Sequence, residues 1–565
     1  MKAQNAPQSP LSTLQDRFLG ETHQVENVAR PLENTHPYRD DRALQELVQH
    51  FGGSWAESDL RAFSEQVGTA TYIQLGFQAN ENKPVLETHD RYGNRTDLVK
   101  FHPAYHQLMG TALREGLHAS PWTAPQPGAH VARSAKYYLH SQVEAAHCCP
   151  ITMTFAAVPT LMKQPDLAAL WLPKVTAWDY QPENRPDTEK SAVTIGMAMT
   201  EKQGGSDVRA NSTRAYAIGQ PGPGQAYELV GHKYFVSAPM CDAFLVLAHT
   251  ERGLSCFLLP RWRPDGTKNP IQIQQLKNKM GNVANASCET ELRGALAWMV
   301  GEEGKGVRNI IEMVALTRFD CMVGSASGMR QAVSQAIHHC QHRAAFGQLL
   351  IDQPLMQNVL ADLALEAEAA ITLAMRFAYA LDHQHQESEK LFTRLGTSVG
   401  KYWICKRAPN HAYEAMECIG GSGVMETSMM PRLFRESPVN AIWEGSGNVQ
   451  CLDMLRALGK TPDTLDVFFA ELEKSQGAHA HLDARIKALK QRFHQSEEVE
   501  YQARSIVDEM ALALQASLLY QTGNQTVADA FCASRLSSIG AHNYGTLPRG
   551  VDCRHIIERA RPNCL

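Results

Sequence analysis

No run of this 565-residue chain is apolar for long enough to span a bilayer, and neither sign of charge dominates it. Lys and Arg number 54 against 59 Asp and Glu, a net charge of −5, which argues against global affinity for nucleic acid and leaves only local basic patches to consider. The 13 cysteines form no CxxC pair and no zinc-like spacing with histidine; only Cys148 and Cys149 adjoin. Scattered thiols of this kind fit a reducing compartment. The opening segment MKAQNAPQSPLSTLQD lacks the apolar core of a secretory signal. A cytoplasmic protein without a membrane span is therefore expected. The histidine pairs His338/His339 and His383/His385 lack a third ligand and read as surface helix residues rather than a metal site. No internal repeat, helix-turn-helix or zinc finger is evident.

What is present is the balance of a globular protein, 44% hydrophobic and 20% charged, in a chain too long for a single core. Residues 1–40 read as an irregular arm interrupted by prolines. Residues 41–190 are mostly helical, ending in a polar proline-rich loop. Between 191 and 300 short β-forming runs alternate with turn chemistry, notably the Gly/Pro cluster at 219–224, and predict a small barrel or sandwich. From 301 to 458 the helical period returns in four segments separated by short gaps, which predicts an up-down bundle. Residues 459–565 form a C-terminal helical extension with two or three further helices. The fold class is thus α+β and multidomain: a helical N-terminal domain, a central β-domain, a helical bundle and extra C-terminal helices.

The most informative stretch is AIWEGSGNVQCLDMLR, from Ala441 to Arg456. It sets one carboxylate, Glu444, between Trp443 and Gly445, before a Ser446-Gly-Asn448 turn and an apolar helical repeat. A turn exposes a base, and an adjacent aromatic wall raises its pKa. Read alone, such a glutamate is an ordinary helix-start charge. Four other segments add weight: MAMTEKQGGSDV (197–208), GHKYFVS (231–237), GEEGKGV with LTRFD (301–320), and HRAAFGQLLIDQ (342–353). GGSGV (420–424) precedes the Glu444 motif.

In this order the segments resemble the acyl-CoA dehydrogenase family of flavoproteins. Lys202-Gln203-Gly204-Gly205, FHPAYHQLM (101–109), HCCPITMTFAA (147–157) and the long tail resemble its AidB-like branch, associated with the response to alkylating agents. The resemblance implies FAD as cofactor and Glu444 as the base that takes the α-proton of a short or branched acyl-CoA, with hydride passing to the flavin. It implies that the Glu444 N–H helps polarise the thioester carbonyl. Met199, Thr200, Gly205 and Ser206 would hold the flavin and its pyrophosphate, with Phe235 and Ser237 beside the ring. Trp443, Gly445, Ser446 and Asn448 would complete the site. Arg343, Phe346, Gln353 and the Gly420-Gly421-x-Gly423 turn would reach the flavin of a neighbouring subunit, implying a dimer or tetramer. Arg318 falls where the family holds the CoA moiety. Departures are Lys202 in place of proline, and Val424 in place of an aromatic. They place the acyl group in doubt more than the flavin.

The branch also implies a possible partner in double-stranded DNA. From Cys451 to Leu565 there are 13 Lys and Arg against 14 Asp and Glu, so no basic domain exists. Two local clusters do: Arg485, Lys487, Lys490 and Arg492 on one predicted helix, and Arg549, Arg554, Arg559 and Arg561 near the end. Three readings stay open: an acyl-CoA oxidising enzyme, a flavoprotein that protects DNA or destroys alkylating agents, and a flavin-retaining scaffold.

Overall fold

The computed structural model describes residues 22–493, 499–537 and 543–563. The first half of the expected N-terminal arm lies outside these residues. Among them no helix is long and apolar enough to cross a membrane.

The N-terminal unit opens with the helix Arg42–His50, whose apolar face buries Leu44, Leu47 and Val48. Asp41 caps it, accepting from the Leu44 N–H at 3.0 Å. Helices Glu57–Val67, Ala70–Glu81, Pro103–Arg114, Ala129–Ser141, Cys148–Leu161 and Pro165–Val175 follow. One feature departs from the helical expectation: β1 (Val85–His89) and β2 (Arg95–Lys100) form an antiparallel hairpin. Its residues are largely polar, so no apolar alternation marks it. Tertiary contact stabilises it instead, because the Ile273 carbonyl and N–H are taken by Arg95 and Asp97 at 2.8 and 3.1 Å.

The central unit holds β3 (Ile195–Ala198), β4 (Arg214–Ala217), β5 (Ala226–Ser237), β6 (Ala243–Thr250), β7 (Gly253–Pro260), β8 (Ile271–Leu276) and β9 (Ser287–Val300). The sheet closes on itself: β4 pairs with β5, β5 with β9, β9 with β7, β7 with β6, and β6 returns to β4. The central β-domain is therefore a barrel, with β3 and β8 added to its rim. The Gly/Pro cluster forms the β4–β5 hairpin tip, where Tyr227 Oη accepts from the Gly222 N–H at 2.8 Å. The barrel's core extends onto the helices 148–161 and 165–175 through Phe155, Leu161 and Trp171.

The bundle is built from Gly306–His342, Pro354–Asp382 and Glu387–Ile419, followed by the shorter helices Met430–Glu436 and Val439–Ile442 and then Gly447–Lys460. Five further helices follow: Asp463–Glu473, Ala480–Phe493, Val499–Gln521, Gln525–Arg535 and Cys553–Arg559, two or three more than the periodicity predicts. They share one hydrophobic core with the bundle and the N-terminal helices. Buried arginines join the layers. Arg330 donates to the carbonyls of Asp40 and Ala560 at 2.8 and 2.9 Å, and Arg376 pairs with Glu389 and Glu471 at 2.8 and 2.9 Å. His338, expected on the surface, is buried and bonds the Arg30 carbonyl at 2.7 Å.

The predicted basic stripe is largely neutralised within the fold. Arg485 and Arg492 both face Glu509, Lys490 pairs with Glu473, and Arg559 with Glu46 and Glu368. This pairing lends DNA contact no support.

One ion pair ties the N-terminal helices to the bundle. Arg133 forks onto Asp320, with Nη2 to Oδ2 at 2.7 Å, and both side chains are at most 1% exposed. Arg133 Nε also bonds the Leu117 carbonyl at 2.7 Å, and Thr152 donates to Asp320. Breaking such a pair from one side strands a buried charge. Arg133→Met is expected to lower stability by about 3–5 kcal/mol, and Arg133→Met with Asp320→Leu by much less. Chemical denaturation of the three proteins measures this; equal losses in both variants would contradict it.

Candidate active site

The barrel rim supplies one wall of the site. Beyond β3 the chain turns through Met199 and Thr200 into the Lys202–Ser206 loop. Glu201 anchors this loop: it is buried against Lys233 at 2.8 Å and accepts the Ser212 and Thr213 N–H groups. Burial opposes its ionisation, but Lys233 and these donors hold its carboxyl down at about 2. A Cβ at Gly204 would stand 2.5 Å from Asn211 Oδ1, so glycine is required there for packing. Gly205 differs, since a Cβ would meet only Thr200 Cγ2 at 3.5 Å, leaving its backbone open to an incoming group. The β5–β9 register slips between Lys233 and Val236. This bulge lifts Phe235 out of the ladder, and its ring stays 42% exposed beside the cavity. Ser237 rejoins the ladder and bonds Ser287 Oγ at 3.0 Å.

The opposite wall carries Glu444. Its φ is +57°, a left-handed conformation that is costly for a glutamate and needs surrounding structure to hold it. Three side chains hold the peptide planes around it. Lys401 donates to the carbonyls of Trp443 and Gly445 at 2.8 and 2.7 Å. Arg318 Nε donates to the Glu444 carbonyl at 2.9 Å. Gln450 donates to the Glu444 and Gly445 carbonyls at 3.1 and 2.8 Å. With all three carbonyls turned into the bundle, no acceptor for the Glu444 N–H is found among the described residues. The carboxylate projects into the cavity and accepts from Thr317 Oγ1 at 3.0 Å. Burial raises its pKa, while Thr317, Arg318 and Lys401 pull it back.

Between the two walls lies a cavity of about 760 Å³. Met199, Thr200, Gly205, Ser206, Phe235 and Ser237 line one side; Trp443, Glu444, Gly445, Ser446 and Arg318 line the other. Asn448 is exposed on the first turn of the following helix and outside this lining. Arg318 does not wait for a ligand: besides Glu444 it pairs with Asp453 at 3.0 Å, and Arg394 and Ser398 join the same carboxylate. While lining the cavity, Arg318 thus also brackets the Glu444 turn from behind.

The remaining residues gather elsewhere. Arg343 and Phe346 sit at a hairpin beyond the far end of the 306–342 helix, Gln353 caps the helix that follows it, and Gly420, Gly421 and Gly423 form a turn after the 387–419 helix. Cys340 and Cys418 touch across the two helix ends, so both features share one end of the bundle. Arg343 bonds the Asn27 carbonyl at 2.8 Å, Gln353 the Ala345 carbonyl at 3.0 Å, and Phe346 at the hairpin tip is 100% exposed. From Thr317 to Arg343 the helix rises about 39 Å.

Thr317, Lys401 and Gln450 were not singled out from the sequence. A signal existed for Lys401: Arg394, Ser398, Lys401 and Cys405 recur at helical spacing and make a polar stripe on a buried helix, where a solvated face would be apolar-free. Among the described residues no cluster of His, Cys, Asp and Glu is arranged to hold a metal.

The comparisons agree with this architecture. Residues 27–182 match the adaptive response protein AidB N-terminal domain, 196–295 the acyl-CoA dehydrogenase middle domain, and 304–459 the acyl-CoA dehydrogenase C-terminal domain. The putative acyl-CoA dehydrogenase AidB of Escherichia coli is 43% identical over 92% of this chain and 95% of its own. Acyl-CoA dehydrogenase family member 11 of Caenorhabditis elegans is 32% identical over 80% of this chain and 76% of its own. The crystal structure of Caenorhabditis elegans ACDH-11 in complex with C11-CoA superposes with a TM-score of 0.83 at 26% identity, covering 97% of this chain and 94% of that one. The chain belongs to the acyl-CoA dehydrogenase family and, within it, to the AidB-like branch.

Proposed function

We propose that the protein is an FAD-dependent dehydrogenase of acyl-CoA thioesters, forming the α,β double bond with Glu444 as base. The observation that carries this reading is the left-handed Glu444 turn. It presents a carboxylate of raised pKa to the cavity and leaves the Glu444 N–H without an acceptor among the described residues. The residues on the facing wall fit a flavin. Phe235 offers an open ring face, Gly205 an approachable backbone, and among the described residues the Thr200 and Ser206 hydroxyls have no protein partner. FAD supplies a two-electron acceptor for the β-hydride, which no side chain offers. The chain's own part is to take the α-proton at the Glu444 carboxylate, to donate the Glu444 N–H to the carbonyl on which enolate charge develops, and to exclude water with Trp443 and Phe235. The short or branched acyl group expected from the sequence is revised below on the shape of the cavity. Nothing observed favours the alternative of DNA protection or alkylating-agent destruction.

Arg343, Phe346, Gln353 and the Gly420–Gly423 turn complete the site of a second copy in this proposal. They are far from the cavity of their own chain, and a fully exposed phenylalanine at a hairpin tip is costly unless covered.

Three outcomes test these statements. Glu444→Gln is expected to keep flavin but lose anaerobic flavin reduction by acyl-CoA by about 10²–10⁴-fold. Reduction at the wild-type rate would overturn the assignment. Thr317→Val removes a donor to the ionised carboxylate, so the pKa of Glu444 rises further. The active form is the deprotonated one, so the acid limb of the rate-against-pH profile moves to higher pH; an unmoved limb would contradict the contact. Phe346→Glu is expected to shift the particle mass toward the monomer in light scattering and to weaken flavin retention. A wild-type protein that is monomeric with full flavin would remove the shared-site reading.

A further inference from the structure

Past Glu444 the cavity continues along the 306–342 helix, where its floor is Gly324 and Gly328. A Cβ at Gly328 would meet nothing within 4 Å, and one at Gly324 only Asn440 and Tyr137 at 3.5 and 3.9 Å. Thr317, which holds the base, lies about 16 Å of helix rise before Gly328. Two missing side chains one turn apart therefore open a channel that takes an acyl chain on the order of ten carbons. A short or branched group would leave most of it empty.

The far end of this channel is polar. Gln142, just after the helix Ala129–Ser141, is 6% exposed, and its Nε2 has no partner among the described residues. Among the described residues Glu436, the last residue of its helix, accepts only the Asn282 N–H, at 2.7 and 2.8 Å to its two oxygens. Burial, with Glu144 adding to it, raises its pKa to about 7. Most of the neighbouring groups are already satisfied. Glu144 accepts from His147 Nδ1 and from the Ala146 and His147 N–H groups. Lys279 donates to the Asn285 carbonyl and Ser287 Oγ at 2.8 and 2.9 Å, and Arg432 to the Val143 carbonyl at 2.8 Å. Among the described residues two donors, Gln142 Nε2 and Arg432 Nη1, remain without partners, and with the Glu436 carboxylate their residues line the cavity.

A methyl terminus would leave the two donors desolvated without partners and Glu436 with a single shared N–H, which is unfavourable; a group that both donates and accepts serves donors and carboxylate alike. A carboxylate terminus would face Glu436 and Glu144, and an ammonium would face Arg432 and Lys279, so a neutral group suits the site. We propose that the preferred substrate is a long-chain acyl thioester bearing a hydroxyl at its far end, which donates to Glu436 and accepts from Gln142. This inference rests on the dehydrogenase reading above.

The test is anaerobic reduction of the flavin-loaded protein by dodecanoyl-CoA and by ω-hydroxydodecanoyl-CoA. The hydroxylated thioester is expected to be favoured at least about tenfold in kcat/KM, because a site built for a hydroxyl discriminates against its absence. Gln142→Leu and Glu436→Leu are each expected to bring that ratio toward one. Equal rates with the two thioesters, or a faster plain chain, would overturn the proposal while leaving the dehydrogenase reading standing. A flavin that no thioester reduces would overturn the dehydrogenase reading and this proposal with it. If neither leucine variant folds, the wild-type ratio alone decides.

Discussion

The site depends on one backbone conformation. Glu444 sits at φ +57°, and an L-residue remains there only if its neighbours outweigh the strain, on the order of 1–3 kcal/mol. Lys401, Arg318 and Gln450 supply that constraint through five hydrogen bonds to three successive carbonyls. Each of these bonds has a charged or buried donor with few alternative partners, so the turn is defined by the bundle and not by its own sequence. Relaxing it would rotate the peptide plane, moving both the carboxylate and the N–H. In the proposed mechanism, base and oxyanion donor are thus set by the same torsion.

The helix 306–342 connects this turn to the rest of the molecule. Within two turns it carries Thr317 to the carboxylate, Arg318 to the carbonyl behind it, and Asp320 to Arg133 in the N-terminal unit. Farther along, its missing side chains at Gly324 and Gly328 open the channel, and Arg330 fixes the N- and C-terminal layers. The barrel contributes the facing wall through a bulge at Phe235 and an anchored loop at Glu201. The cavity therefore exists only where three units meet, and its geometry follows from buried polar contacts between them.

Much of this was legible in the chain. Hydrophobic period separated helices from strands, and the Gly/Pro cluster marked the β4–β5 tip. The Glu444 motif stood out because Trp-Glu-Gly-Ser-Gly combines a carboxylate, an aromatic and turn residues. What stayed hidden was long-range. The hairpin at 85–100 is held by Ile273, nearly two hundred residues away, and carries no apolar alternation of its own. The bracing role of Arg318 was hidden because its partner, Asp453, is remote in sequence. Lys401 was not singled out, because helical spacing marks its stripe but does not say which remote carbonyls the stripe meets. The partners of the basic clusters were hidden for the same reason, as the carboxylates that neutralise them lie on other helices.

The central claim is that the buried clamp, and not the glutamate alone, makes the base competent. Lys401→Met tests it most directly, because methionine keeps the length and packing while removing the ammonium from two carbonyls. The account predicts that the variant stays folded and binds FAD, but that flavin reduction by acyl-CoA falls by about 100-fold, the cost of displacing a reacting group by roughly 1 Å. A folded, flavin-loaded Lys401→Met protein that is reduced as fast as wild type would contradict it.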